Sequence, residues 1–189
     1  MLMKELSLNI LDIVENSVKA RAMLTEILLR EEGNLLEITI RDDGCGMDEE
    51  TLLSVTNPFY TTRTTRRVGL GIPLLKLAAE QTGGTLRIES RVDRGDGTAH
   101  GTTVVATFFT DHFDFAPIGD IVSTLVTLVQ GHPNTDFLFV HEKDGAELAS
   151  LDTRAMREIL GEEVPLDTFE VIVWLREMLS EQYQLSKQI

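Results

Sequence analysis

A strand-like segment in the first half of the chain ends in the run Asp42-Asp43-Gly44-Cys45-Gly46. Apolar and polar residues alternate from Leu36 to Ile40, and Asp42 falls in phase with the apolar set, so its carboxylate is expected to point inward. A buried carboxylate is costly unless donors reach it, and the two glycines let a flat ring approach the backbone. The pattern indicates an acceptor for an exocyclic amine such as that of adenine. The alternative is a tight turn in which Asp42 caps the following segment.

A second set of chemically capable residues lies on a helix predicted over residues 5–21. Asp12, Asn16 and Lys19 are spaced i, i+4 and i+7, so they share one polar stripe of that helix. The amide oxygen of Asn16 suits Mg²⁺, which keeps most of its waters and bridges phosphate groups. Asp12, one turn earlier, is placed to orient or deprotonate a nucleophile near a γ-phosphate. Together these residues point to a nucleoside triphosphate.

A basic, threonine-rich loop over residues 57–67 precedes a helix that opens at Gly69 and is predicted to end near Gln81. Backbone amides of Val68–Leu70 at this helix start can hold phosphate oxygens, because they lack intrahelical partners and lie at the positive end of the helix dipole. The loop arginines that can neutralise phosphate charge are Arg63, Arg66 and Arg67.

In this order and spacing, the segments resemble the motifs of the Bergerat-fold (GHKL) ATPases, the superfamily of gyrase, heat-shock chaperone, histidine kinase and mismatch-repair ATPases. The resemblance is closest to the histidine kinase-like ATP-binding domain and spans about residues 5–110. The matching segments are residues 11–20 (asparagine box), 42–46 (first glycine box), 57–63 (the lid entry of sensor histidine kinases), 69–72 (second glycine box), and 83–85 and 101–103 (its trailing strands).

The resemblance implies a two-layer α/β (α+β) sandwich of the histidine kinase-like ATPase fold that binds ATP and Mg²⁺. It implies Asn16 on the metal, Asp42 on the adenine amine and the hydroxyl of Thr102 near the base. It also implies phosphate contacts from the lid and from Gly69–Gly71. The complete predicted nucleotide site comprises Asn16, Lys19, Asp42, Gly44, Gly46, Met47, Arg63, Val68, Gly69, Leu70, Gly71 and Thr102, with Asp12 as the catalytic residue.

These residues define the ligand more closely than they define the reaction. The asparagine box is similar to that of mismatch-repair ATPases, in which a glutamate four residues before the asparagine is the hydrolytic base; here Asp12 holds that position and is one methylene shorter. Glu15, the other candidate base, lies about 100° around the helix from Asn16 and is expected to face solvent or the lid. A mismatch-repair identity is disfavoured, because a transducer domain and a basic DNA surface are missing.

The histidines also limit the reaction, because a self-phosphorylating sensor kinase needs an acceptor histidine on a helical hairpin. Structural or surface roles are expected for His100, His112, His132 and His141. The leading prediction is therefore the catalytic module of phosphotransfer to a separate protein, by analogy with anti-sigma-factor serine kinases. Two alternatives stay open: an ATP-gated switch with little turnover, and a slow ATPase that uses Asp12 as its base.

Composition limits the other partners. The net charge of −14 over 189 residues argues against a nucleic-acid partner. The single cysteine, Cys45, excludes an internal disulfide, fits a reducing cytoplasm and is expected to be small filler in its turn. Since no apolar run approaches the roughly 20 residues that span a bilayer and the N-terminus lacks a signal-peptide layout, we expect a cytoplasmic protein without a membrane partner.

Periodicity and turn residues divide the chain into an ATP-binding domain over residues 1–112 and a small α/β accessory domain over residues 113–189. Predicted strands cover residues 23–31, 35–42, 85–92, 102–109 and 137–141, and the remaining predicted helices cover residues 48–55, 118–129, 155–160 and 168–183. The last helix carries an apolar stripe that is expected to be a packing face: Phe169, Ile172, Val173, Leu175, Met178 and Leu179, with Trp174. The accessory domain is expected to serve partner binding or homodimerisation.

Overall fold

The computed structural model describes residues 5–56, 71–161 and 163–186. Within them the helices are α1 (Leu6–Lys19), α2 (Glu49–Thr56), α3 (Gly71–Gln81), α4 (Ile121–Gly131), α5 (Thr153–Leu160) and α6 (Phe169–Leu185). The strands are β1 (Leu24–Glu32), β2 (Leu35–Asp42), β3 (Leu86–Arg91), β4 (Gly101–Phe109), β5 (Asp136–Lys143) and β6 (Ala146–Asp152). Every predicted helix and strand is present, with ends that differ by a few residues, and β6 was not predicted.

The strands form one mixed sheet in the order β3-β4-β2-β1-β5-β6. β1 pairs antiparallel with β2 and parallel with β5, and the other neighbours are antiparallel. Buried residues alternate with partly exposed ones along β1, β2 and β5, so one face of the sheet is covered by the helices. The predicted two-layer sandwich is therefore confirmed.

α1 lies in the middle of the helical layer, in contact with α3 on one side and α4 on the other. Its inner face buries apolar side chains at helical spacing: Leu6, Ile10, Ile13 and Val14. Its first-turn amides are also satisfied, since the N–H groups of Leu6 and Ser7 donate to the carbonyl oxygens of Pro117 and Ile118 at 2.9 and 2.8 Å. The segment before α4 thus anchors the start of the helix that carries Asn16.

The sheet continues across the predicted boundary at residue 112. β5 adds to the free edge of β1 after the crossover through α4, and β6 pairs with β5. Residues 113–186 therefore share a sheet with the first part of the chain, while their role as an accessory domain stays a prediction.

The packing face predicted for α6 is wrong in detail. Val171, Leu175 and Leu179 are buried against α4 and β6, whereas Phe169 and Trp174 are 77% and 49% exposed. Val171, Leu175 and Leu179 form the buried stripe because they recur every four positions on the side that faces the sheet.

Within the described segments, no helix combines the length and apolar character needed to cross a membrane.

Candidate functional site

A cavity of about 680 Å³ opens between the C-terminal end of α1, the end of β2, the segment that leads into α2, and α3 itself. Six of the residues predicted for the nucleotide site line it: Asn16, Lys19, Asp42, Gly46, Met47 and Thr102. Apolar walls are supplied by β2, β4 and α3. The volume falls within the range of small-molecule and cofactor sites, about 300–1,000 Å³.

Asp42 is buried at the base of this cavity, which confirms the orientation predicted from the alternation of β2. Its Oδ2 accepts a hydrogen bond from the hydroxyl of Ser17 at 2.8 Å. Its Oδ1 accepts from the backbone N–H groups of Gly44 at 2.9 Å and Thr102 at 3.2 Å. The neighbouring Asp43 is exposed and accepts two backbone N–H bonds at the start of β1. The two adjacent aspartates therefore have different environments, and only one of them faces the cavity.

The glycines after Asp42 are required by the packing of the turn itself. A Cβ on Gly44 would lie 2.9 Å from the carbonyl oxygen of Ala20, at the end of α1. Gly46 has φ +67°, and a Cβ there would lie 1.9 Å from the carbonyl oxygen of Arg91, at the end of β3. The turn is thus clamped between α1 and β3, which fixes the position of Asp42 relative to both elements.

Two polar side chains at the cavity are left available for a ligand. Across the described residues, neither the side-chain amide of Asn16 nor the ammonium group of Lys19 has a hydrogen-bond or ion-pair partner. Both lie near the C-terminal end of α1, as the polar stripe predicted. Free polar groups that converge on a cavity are typical of binding sites, because a bound ligand supplies the missing partners.

Asp12 lies one turn earlier on α1, beside the first residue of α3 and outside the residues that line the cavity. A Cβ on Gly71 would lie 2.8 Å from the Cβ of Asp12, so the backbone at the start of α3 approaches this side chain closely. Arg63, Val68, Gly69 and Leu70 of the predicted site, and also Arg66 and Arg67, lie outside the described residues. Of the predicted phosphate-binding segment, the structure therefore describes only Gly71.

The orientation predicted for Glu15 is wrong. Its carboxylate faces the C-terminal end of α4, where Oε1 lies 2.7 Å from Nε2 of His132. A residue about 100° around α1 from Asn16 points toward α4 because α1 is packed between α3 and α4. Glu15 is thus engaged by His132 at the end of α4 and does not line the cavity, while the role of Asp12 as base stays a prediction.

Several residues that shape the site were not identified from the sequence. The hydrogen bond from Ser17 to Asp42 joins residues 25 positions apart. Ser90 accepts from the backbone N–H of Met47 at 2.8 Å, and its hydroxyl lies 2.9 Å from that of Thr102. The one available signal was the register of the strands, since Ser90 pairs with Thr102, and Thr102 pairs with Asp42.

His100 makes a structural contact, in agreement with its predicted role, whereas Cys45 departs from its prediction. Nδ1 of His100 lies 2.7 Å from the carbonyl oxygen of Gly44, and this contact, with the nearby carboxylates of Asp93 and Asp43, raises the pKa of the imidazole. Cys45 is exposed and lines the cavity, so its prediction as packed filler is wrong. The turn backbone packs inward and leaves this side chain outside, because the amide of Cys45 donates to Ala20 at 2.9 Å.

The described residues fit ATP with Mg²⁺. Asp42 offers a buried acceptor for an amine, and Asn16 offers one amide oxygen for a metal. Within the described ranges, no group of three or more His, Cys, Asp or Glu side chains can hold a metal ion. A single protein ligand nevertheless suits Mg²⁺, which takes most of its coordination from waters and phosphate oxygens.

The chain is a two-layer α/β protein with a ligand-sized cavity at the end of β2. Comparison with known proteins identifies its family. Residues 3–112, more than half of the chain, match the family described as Histidine kinase-, DNA gyrase B-, and HSP90-like ATPase. The chain belongs to this family. The resemblance seen in the sequence motifs is thereby confirmed.

Known relatives include bacterial sensor kinases. The chain is 32% identical over 90 residues to the sensor histidine kinase YvrG of Bacillus subtilis (strain 168), which covers 44% of this chain and 16% of that protein. It is 29% identical over 87 residues to sporulation kinase C of the same organism, which covers 45% of this chain and 20% of that protein. The chain therefore spans a fifth or less of these relatives.

Solved structures share the fold. The Aquifex aeolicus MutL ATPase domain complexed with ADP aligns with a TM-score of 0.51 at 15% identity and covers 84% of this chain and 70% of that one. The N-terminal domain of a DNA repair protein aligns with a TM-score of 0.53 at 18% identity and covers 79% and 53%. Both alignments cover more of this chain than the 3–112 family match, so they take in part of the region after residue 112.

Proposed function

We propose that this protein binds ATP with Mg²⁺ in the cavity at the end of α1 and β2 and acts as the catalytic module of phosphotransfer to a separate protein. The observation that carries the proposal is the pairing in one cavity of a buried carboxylate, Asp42, with the side-chain amide of Asn16, which has no partner among the described residues. These two groups suit the two ends of a nucleotide. Membership of the histidine kinase-like ATPase family supports the same ligand.

The residues of the cavity have side chains suited to different parts of ATP. Asp42 would accept a hydrogen bond from the exocyclic amine of adenine, and Asn16 would hold Mg²⁺ through its amide oxygen, where the metal would supply positive charge to the phosphates. Lys19, on the rim of the cavity, adds positive charge where an otherwise acidic protein needs it. The backbone amide of Gly71 lies at the start of α3, at the positive end of the helix dipole, where it would hold a phosphate oxygen; the remaining predicted phosphate contacts fall on residues outside the described ranges.

Transfer to an acceptor other than the histidines of this chain is favoured by the environments of those histidines. His141 is 4% exposed on β5, where its ring nitrogens lie 2.8 Å from Tyr183 and 3.0 Å from Glu31. His132 is engaged by Glu15, and His100 by the carbonyl of Gly44. Three of the four histidines are thus committed to structural contacts, and the kinase relatives support a transfer reaction.

A slow ATPase is the second candidate. The carboxylate of Asp12 has no hydrogen-bond or ion-pair partner among the described residues and lies beside the start of α3, where the γ-phosphate is expected. A carboxylate that is free to accept a proton can activate either a water molecule or an acceptor hydroxyl. The two reactions can therefore share one base, and the phosphate acceptor distinguishes them.

The binding part of the proposal is tested with Asp42→Asn, which keeps the size of the side chain and replaces an acceptor oxygen with an amide group. We expect the variant to fold, as judged by its unfolding curve, and to lose ATP binding in isothermal titration calorimetry. Unchanged affinity for ATP in a folded variant would exclude Asp42 as the adenine acceptor.

The reaction is tested by incubating the wild type and the Asp42→Asn variant with γ-labelled ATP, each alone and with cell lysate. We expect label on one other protein with the wild type and none with Asp42→Asn. Label released only as free phosphate would establish the ATPase, label on the chain itself would contradict transfer to a separate protein, and label retained only as bound ATP would establish a switch.

A further inference from the structure

Ser17 follows Asn16 directly on α1 and is the side chain through which this helix holds Asp42. Its hydroxyl is 2.8 Å from Oδ2 of the carboxylate, and the contact is buried. Ser17 is 3% exposed, and it also lines the cavity. A hydroxyl that donates to a carboxylate inside a protein makes a strong, charge-assisted bond. This bond therefore restricts the rotation of the carboxylate group.

The hydrogen bonds to Asp42 leave one acceptor position for a ligand. A carboxylate offers about four lone-pair sites, two on each oxygen. Within the described residues, Oδ1 accepts from two backbone amides, those of Gly44 and Thr102, and Oδ2 accepts from Ser17 alone. The remaining site is thus on Oδ2, the oxygen that Ser17 holds.

We propose that Ser17 is a positioning residue that sets the orientation of Oδ2 and thereby selects a purine with an exocyclic amine. This inference rests on the proposed function, since it concerns how the same site recognises the base. Three donors on three different elements fix the carboxylate: α1, the turn after β2, and β4. Two of them are backbone groups that no side-chain substitution removes. Ser17 is the one donor that can be deleted without a change in the backbone.

The position of Ser17 also joins the two ends of the nucleotide site. Asn16 is assigned to Mg²⁺ at the phosphate end, and the next residue holds the carboxylate at the adenine end. Because Asn16 and Ser17 are neighbours on one rigid helix, the hydrogen bond of Ser17 to Asp42 holds the carboxylate at a fixed distance from Asn16. A ligand must therefore match both at once, which favours an adenine nucleotide that carries a metal-bound phosphate chain.

The test compares two ligands on one protein. Purine riboside triphosphate is ATP without the exocyclic amine, so the ratio of the two Kd values measures recognition of that amine. We expect Ser17→Ala to weaken ATP binding by about tenfold and to leave purine riboside triphosphate within about twofold of the wild type. Because both Kd values come from the same sample by calorimetry, their ratio does not depend on the folded fraction.

Ser7→Ala is the matched control. Ser7 is a fully buried serine on the same helix, and its hydroxyl has no hydrogen-bond partner in the described part of the chain. We expect this variant to keep the wild-type ratio of Kd values. Ser17→Thr retains the hydroxyl and should keep most of the preference for ATP, which also protects the test if the alanine variant is unstable.

The outcomes distinguish a failure of the positioning role of Ser17 from a failure of ATP binding, the proposed function on which that role rests. If the wild type prefers ATP and Ser17→Ala weakens both ligands equally, or neither, Ser17 is only structural and the inference is overturned. If the wild type binds neither ligand, the proposed function fails and the inference fails with it. Loss of the preference in Ser17→Ala, with Ser7→Ala unchanged, establishes the positioning role.

Discussion

Neutral donors, with no cation among them, surround the carboxylate of Asp42 in the described structure. An arginine or lysine at this position would take up the acceptor sites and fix the charge in an ion pair. Hydroxyl and amide donors instead hold the carboxylate in the interior and leave it able to accept one more hydrogen bond. This arrangement suits a neutral amine, which needs an acceptor and does not need a counter-charge.

Asp12 and Glu15 provide a matched pair of carboxylates on α1: Asp12 has no partner among the described residues, and Glu15 is engaged by His132. We expect Asp12→Asn to lower phosphate release or transfer by about 100-fold or more, because the general base is lost, while the Kd for ATP stays unchanged. Phosphate release from γ-labelled ATP and calorimetry measure the two quantities. Glu15→Gln keeps an acceptor for His132 and should retain full turnover. Loss of turnover in Glu15→Gln alone would reverse the assignment.

The sequence predicted the orientation of Asp42 but not the residues that contact it. The inward phase of Asp42 follows from the two-residue period of β2, which is a local property. The donor from Ser17 and the contact of His100 with Gly44 join residues 25 and 56 positions apart, and no local pattern encodes them. Glu15 was misplaced for the same reason, because its orientation depends on the position of α4.

Among the elements, the turn after β2 depends strongly on glycine. We expect Gly46→Ala to destabilise the protein by the cost of a left-handed alanine, about 1–2 kcal/mol, plus roughly 1–3 kcal/mol for the collision with Arg91. Gly33→Ala is the control, since Gly33 has φ +57° and a Cβ there has no atom within 4 Å. Urea unfolding gives both values. Equal losses would show that the clamp on the turn is loose.

The strands and helices differ in how closely the sequence pattern predicted them. β1 and β2 show strict alternation and a glycine turn, so their bounds were predicted closely. β6 was missed because its buried residues, Ala149 and Leu151, are too few for a two-residue period to stand out. The face of α6 was misassigned because Phe169 and Trp174 are apolar but lie on its exposed side.

In the whole molecule, the sheet joins the family domain to the region after residue 112 through the pair β1 and β5. A buried polar cluster reinforces this junction. His141 on β5 lies 3.0 Å from the carboxylate of Glu31 on β1 and 2.8 Å from the hydroxyl of Tyr183 on α6, and Lys143 lies 3.1 Å from the same carboxylate. The stability of the C-terminal region should therefore depend on the charge of one histidine.

Burial lowers the pKa of His141 below its ordinary value of 6.5, with Lys143 acting in the same direction and the hydrogen bond and charge of Glu31 acting against it. The unfolded chain therefore binds the proton more tightly than the folded protein. The stability contributed by the neutral imidazole is complete above pH 6.5 and is lost as the pH falls through the lowered value. We expect the free energy of unfolding to decrease on acidification more steeply in the wild type than in His141→Gln.

The measurement is urea unfolding at a series of pH values from neutral to mildly acidic, with His112→Gln as the control because His112 is exposed near the end of β4. Removing a buried titrating group should flatten the pH dependence, and the substitution at exposed His112 controls for the general effect of replacing histidine by glutamine. Parallel curves for the wild type and His141→Gln would show that the junction between the two regions does not depend on this proton.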